Sequence, residues 1–192
     1  MSRVDTAQLR ITTYPAEILR QKAAPIDPSE EVREVAQSML KLMAKAEGIG
    51  LAAPQVGLPW RLFVVNIPSP SPEDSSFEPG AYEGLPIATD GPKVYINPVL
   101  SDAGGDLESY EEGCLSLPEI QGTVHRPSII TITAMDENGK PFTHRAGGLL
   151  ARCWQHETDH LDGILILDKM TQMARLKNRR AIRDLEKEAG LR

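Results

Sequence analysis

The chain has 192 residues, 41% of them hydrophobic and 25% charged, and only two cysteines. This is enough to bury a core without disulfides, and no apolar stretch is long enough to cross a bilayer. The net charge is −6; residues 171–192 carry +4, which leaves −10 on residues 1–170, and an acidic body of this kind is a poor general binder of DNA.

The N-terminus, MSRVDTAQLR, has neither the apolar core of an export signal nor an Arg/Ser-rich presequence. It therefore points to a bacterial cytoplasm more than to an organelle, with Cys114 and Cys153 as reduced thiols. Residues 10–28 are irregular and punctuated by Pro15, Pro25 and Pro28. Ser29 is then the expected N-cap of an amphipathic helix. Val32, Val35, Ala36, Met39, Leu40 and Met43 recur at helical spacing, and the helix is expected to stop near Gly48.

Residues 61–67 read as a strand with few polar residues. Residues 68–93 follow as an insert with six prolines, three glycines and five acidic residues, too poor in apolar residues for a core and read as a surface loop. Strand character resumes at 94–100, with Pro98 marking an edge or an exit. A further strand is expected at 129–135, a hairpin turn at Asn138-Gly139, and a returning strand at 142–145. Gly147 and Gly148 precede a helix from about 149 to 161, and a last basic helix spans about 171–189. The order of elements is α+β, with all 192 residues in one catalytic domain.

The most specific short segment is Gln155-His156-Glu157-Thr158-Asp159-His160. On a helix, His156 and His160 are about 40° apart in azimuth and about 6 Å apart along the axis, so both imidazoles reach one ion. Glu157 lies near enough to touch a water at that ion without being a ligand. Two histidines leave the site short of a ligand, and the candidates are Cys114, Cys153 and a carboxylate. Cys153 shares the helical face, but a ligand from a separate segment closes a tetrahedron better. Cys153 is otherwise a small buried hydrophobe lining the site.

Three blocks in order, Gly48-Ile49-Gly50-Leu51-Ala52-Ala53-Pro54-Gln55-Val56-Gly57, then Glu112-Gly113-Cys114-Leu115-Ser116, then the histidine segment, together resemble the peptide deformylases. The resemblance covers nearly the whole chain apart from the insert and the first few residues. It implies an α+β fold with antiparallel strands packed around the helix carrying H-E-x-x-H, and a C-terminal helix. It also implies a metal-dependent hydrolase of protein biosynthesis that removes the formyl group from N-formylmethionyl nascent peptides and releases formate. By that resemblance the metal ligands are Cys114, His156 and His160, and Glu157 is the general base and acid. The oxyanion partners are the Gln55 side chain and the Leu115 N–H. Gly48, Ile49, Gly50, Gly113, Arg126, Leu149 and Cys153 are expected on the substrate side. Iron(II) is the expected physiological metal, with zinc or nickel able to occupy the site in a preparation. Arg152 departs from an apolar family position and is expected at the pocket rim, with its guanidinium in water. The basic last helix is expected either to pack one apolar face or to contact the ribosome. A zinc peptidase acting on internal bonds is the competing enzyme reading, against which the Gln55 block and a cysteine ligand outside the helix both argue.

Overall fold

The computed structural model describes residues 3–70, 82 and 84–190. Ser29 caps the first helix, α1 (Glu30–Lys45), by accepting from the Val32 N–H, and Glu30 and Glu31 sit at its positive end. The helix stops at Lys45, a little before Gly48, because Glu47 takes the left-handed conformation at φ 56°. Five strands follow: β1 (Gly50–Ala52), β2 (Leu62–Val65), β3 (Lys93–Cys114), β4 (Leu117–Met135) and β5 (Pro141–Gly147). They form one antiparallel sheet in chain order.

Strand β2 is apolar throughout because both of its faces are covered. Phe63 and Val65 join a cluster with Tyr95, Ile132, Leu150 and Trp154, on the side of helix α2 (Gly148–Leu161). Leu62 and Val64 join Val35, Met39, Met43 and Leu51 on the side of α1. The alternation along one strand thus places the two helices on opposite faces of the sheet. A third cluster, built on Leu19, Leu117, Ile120, Val124 and Leu165, lies under the tip of the β3–β4 hairpin.

The strands around Pro98 run much longer than expected. β3 continues to Cys114, and β4 begins at Leu117 rather than near 129. Pro98 does not end β3. It falls just past Ile96, where pairing with β2 stops, so the missing N–H faces no strand on that side. The ladder with β4 absorbs Asn97 and Asp102, both with positive φ, through register shifts at 96/99 and 101/104. The Asn138-Gly139 turn forms as expected, with the Asp136 carboxylate accepting from the Asn138 and Lys140 N–H groups at 2.9 Å.

One further correction concerns the C-terminal end of the chain. The last helix is broken: a short α3 (Ile166–Lys169) precedes α4 (Gln172–Lys177) and α5 (Arg179–Glu188), which are separated at Asn178. The Asn178 side chain donates to the carbonyls of Ala174 and Gln121, which ties the break to β4. Of the 68–93 insert, residues 71–81 and 83 lie outside the described residues; the part after them is a surface loop, pinned to the fold by backbone bonds. Pro86 and Ile87 accept backbone hydrogen bonds from Gly147 and Leu150, and Thr89 pairs with Ile67.

Candidate active site

The site forms where three chain segments meet. Cys114 is the last residue of β3, and a two-residue connection, Leu115-Ser116, turns the chain into β4 opposite Leu117. The hairpin tip therefore holds the thiol at a defined place. His156, Glu157 and His160 come from α2, and Gln55 from a 3-10 turn at Ala53–Val56 after β1. Backbone bonds from Thr12 to Gln55 and from Tyr14 to Ser116 strap the last two loops together.

The ligating atoms of Cys114, His156 and His160 all lie within 4.8 Å of one another. Cys114 Sγ is 3.2 Å from His160 Nε2. A tetrahedral ion with metal–sulfur and metal–nitrogen bonds of ~2.3 and ~2.0–2.1 Å needs a sulfur–nitrogen edge of roughly 3.5 Å, so the donors are already near the required spacing. His156 Nδ1 is 3.0 Å from Glu112 Oε2, which leaves Nε2 as the free lone pair. Two imidazoles, one thiol and a carboxylate behind one imidazole fit a transition-metal ion well.

Glu112 is supplied by strand alternation, since it lies on the same face of β3 as Cys114, two residues away. Its carboxylate is buried and also accepts from Arg126 Nε at 2.7 Å and Nη2 at 3.0 Å, and from Arg152 Nη1 at 2.7 Å. Burial alone would raise its pKa, but the hydrogen bonds from His156 and Arg126 outweigh burial and hold it well below the usual carboxylate range. The remaining Arg126 nitrogen bonds Asp159 at 2.7 Å.

These contacts revise two expectations. Arg126, expected on the substrate side, is 4% exposed and turned into Glu112 and Asp159, away from the cavity. Arg152, expected with its guanidinium in water, is 7% exposed; it donates to Glu112 and to the carbonyls of Val124 and Glu108. A buried carboxylate serving a histidine requires countercharge, and these two arginines supply it.

Glu157 is buried among Gly50, Cys153 and the ligand cluster. Burial pushes its carboxyl up to about 7, against the lowering influence of His156 and Arg126. One of its oxygens, Oε2, has no hydrogen-bond partner among the described residues. A side chain at Gly50 would run into Oε1 and into Cys153 Sγ, so the glycine keeps that space open. The Gln55 amide is fixed at both ends. Its oxygen accepts from the Ala52 N–H at 2.8 Å, and its nitrogen donates to Ser116 Oγ at 3.2 Å and points at Cys114 Sγ at 3.5 Å.

A cavity of about 520 Å³ opens over these groups. Gly48, Ile49, Gly50, Gln55, Gly113, Cys114, Leu115, Leu149, Arg152, Cys153, His156 and Glu157 line it. His160 lies behind them. Cys153 stays outside the ligand cluster; burial pushes its thiol up, and its sulfur faces the Ile49 carbonyl at 3.9 Å. Sequence reasoning missed Ser116, Asp159 and Tyr110, and assigned no role to Glu112. A charged residue two places before a ligand on a strand was the available signal for Glu112.

The sequence profile of the polypeptide deformylases matches residues 8–176. The chain belongs to the peptide deformylase family. The deformylase of Parasynechococcus marenigrum is 42% identical over 175 residues, which is 91% of this chain and 79% of that one. That of Erythrobacter litoralis is 38% identical over 188 residues, covering 92% and 95% of the two chains. The crystal structure of the Ehrlichia chaffeensis deformylase superposes with a TM-score of 0.81 at 32% identity, over 95% of this chain and 97% of that one. The Synechococcus elongatus deformylase, solved in complex with actinonin, superposes with a TM-score of 0.74 at 35% identity, over 98% and 90%. The deformylase fold is thus the five-stranded antiparallel sheet described above, with α2 against one face and helices at the C-terminal end.

Proposed function

We propose that Cys114, His156 and His160 hold the metal of a deformylase in which Glu157 moves the proton. The enzyme is a peptide deformylase that removes the N-formyl group from nascent peptides in a metal-dependent reaction. The observation that carries the residue assignment is the convergence of one thiol and two imidazoles within 4.8 Å, beside a buried carboxylate with a free oxygen.

A divalent ion in this site supplies Lewis acidity, which brings the pKa of water from 15.7 to about 7. Glu157 accepts the proton of the attacking water through its unpartnered oxygen and delivers it to the leaving amine. The products are formate and a free N-terminus. Gln55 Nε2 donates to the developing oxyanion without adding charge, and the Leu115 N–H is the second donor. Ile49, Leu149 and Cys153 form the apolar lining that receives the methionine side chain, and Gly48, Gly50 and Gly113 leave room for the peptide backbone along the groove. Arg126 acts from behind, through Glu112.

We assign iron(II) as the working metal, since thiolate and imidazole donors suit it and equally accept zinc or nickel. The reaction is placed in a bacterial cytoplasm, and residues 1–192 serve it as one catalytic domain. The exposed Arg179, Arg180, Arg183 and Lys187 of α5 offer a basic surface for ribosomal RNA, while Ala181, Ile182 and Leu185 pack on the core. Charge reversal at Arg180 and Arg183 should weaken salt-sensitive ribosome binding and leave peptide turnover unchanged. Unaltered binding would reject that contact.

The direct test is formate release from formyl-Met-Ala by protein loaded anaerobically with iron(II), compared with zinc- and nickel-loaded samples. Turnover abolished by a chelator and restored by metal is the expected result. Cleavage of unformylated peptides without formate release would favour an internal peptidase instead.

A further inference from the structure

The start of α2 is held by the insert, and this bears on substrate selection. No side chain caps the helix at Gly147. Two of its first N–H groups, those of Gly147 and Leu150, donate instead to the Pro86 and Ile87 carbonyls, at 3.0 and 3.2 Å. Tyr82 completes the attachment. Its side chain packs close against Gly147 and Gly148, and its hydroxyl donates to the Glu108 carboxylate at 3.1 Å. Gly147 has φ −121° and ψ 174°, extended backbone that any residue adopts. A Cβ there would fall 2.6 Å from the Tyr82 ring. The absence of a side chain at Gly147 is therefore explained by Tyr82 and not by backbone conformation.

The next helical residue but one is Leu149, which is 40% exposed and faces the substrate cavity. On the other side of the mouth, the Glu108 carbonyl accepts from Arg152, whose guanidinium stands 5.5 Å over the Tyr110 ring. Tyr110 also lines the cavity. Tyr82 thus ties the helix turn bearing Leu149 to the strand bearing Tyr110. We infer that Tyr82 is a positioning residue that fixes the Leu149 wall of the apolar pocket, and thereby the preference for methionine over shorter or branched side chains at the formylated residue. The assignment rests on the deformylase reading.

The test compares kcat and KM on formyl-Met-Ala, formyl-Leu-Ala and formyl-Val-Ala for the parent, Tyr82→Ala, Tyr82→Phe and Gly147→Ala, with metal content and Tm measured for each. Parent turnover is the first readout, and its absence would sink the deformylase reading itself. Given turnover, Tyr82→Ala should raise KM for formyl-Met-Ala about fivefold with kcat nearly kept, and narrow the preference for Met over Leu and Val. Gly147→Ala should act in the same direction by displacing the ring. The two substitutions together should do no more than Tyr82→Ala alone, because the clash is then gone. Tyr82→Phe keeps the ring and should lose only about twofold. Unchanged selectivity and KM in Tyr82→Ala at parent metal content overturns the assignment. So does an equal loss of kcat on all three substrates, which would mark a purely structural tie.

Discussion

Helices α2 and α5 both carry several charged side chains, and the fold treats them in opposite ways. In α2, Arg152 and Glu157 are buried and Asp159 is nearly so, and Arg152 and Asp159 lie within a connected polar system built on Glu112 and Arg126. In α5 no residue is buried, and its ion pairs are long and exposed, Arg180–Asp184 at 3.8 Å and Lys187–Asp184 at 3.9 Å. Charge content is therefore no guide to function. What separates the two helices is desolvation: a buried charge needs a partner at a fixed place, and that requirement builds geometry. The basic side chains of α5 stay exposed, where an outside polyanion can reach them.

The contrast predicts a hierarchy of effects. Glu112→Ala should be the most damaging single change to the support of the site. It leaves Arg126 and Arg152 buried without their shared carboxylate, a loss of about 3–5 kcal/mol in stability, and should lower metal affinity roughly 10–100-fold. Urea unfolding and chelator competition measure the two. A loss below 1 kcal/mol would mean that water compensates the arginines, and the comparison with α5 would collapse.

Gln55→Ala removes one proposed oxyanion donor and its 3.5 Å contact to Cys114 Sγ, and leaves Cys114, His156 and His160 in place. A fall in kcat of ~10²–10³ with full metal occupancy is expected; a change confined to KM would place Gln55 in binding alone.

Acid stability gives a third, smaller effect. Glu112 is held below its ordinary range in the folded state, so its contribution is complete above the pKa of the unfolded chain and drains away as pH falls toward the folded value. The parent should lose stability more steeply below about pH 4.5 than Glu112→Gln does. Equal slopes in chemical unfolding curves across that window would contradict the ion-pair account.

At the bottom of the scale, Asp184→Ala in α5 should change stability by less than about 0.5 kcal/mol. A larger loss by the same measurement would show that α5 is more than a solvated helix packed on one face.

How far the sequence spoke also follows this division. The His156–Glu157–His160 spacing was legible because helical periodicity is local, as was the Asp136–Lys140 turn. Spacing alone left Cys114 and Cys153 both open, and the resemblance to the deformylases chose Cys114; the β3–β4 hairpin tip is what brings that thiol to the two histidines. Arg152 does border the cavity, but its guanidinium was misread as solvated because a long cation beside a motif looks so until its partners, Glu112 and the Glu108 and Val124 carbonyls, arrive from other strands. The true length of β3 was hidden by Pro98, which read as an edge or an exit but sits at a register shift within a continuing ladder. Asn178, which breaks the last helix, is a residue that helix interiors tolerate, and its bond to the Gln121 carbonyl is a long-range event.

The central claim is that the carboxyl of Glu157 moves the proton and does not hold the ion. Formate release and bound metal, measured together in the parent and in Glu157→Gln, test it most directly. Metal at parent stoichiometry with turnover reduced by ~10²–10⁴-fold is the predicted result. Turnover near the parent level, or loss of the metal along with activity, would contradict it.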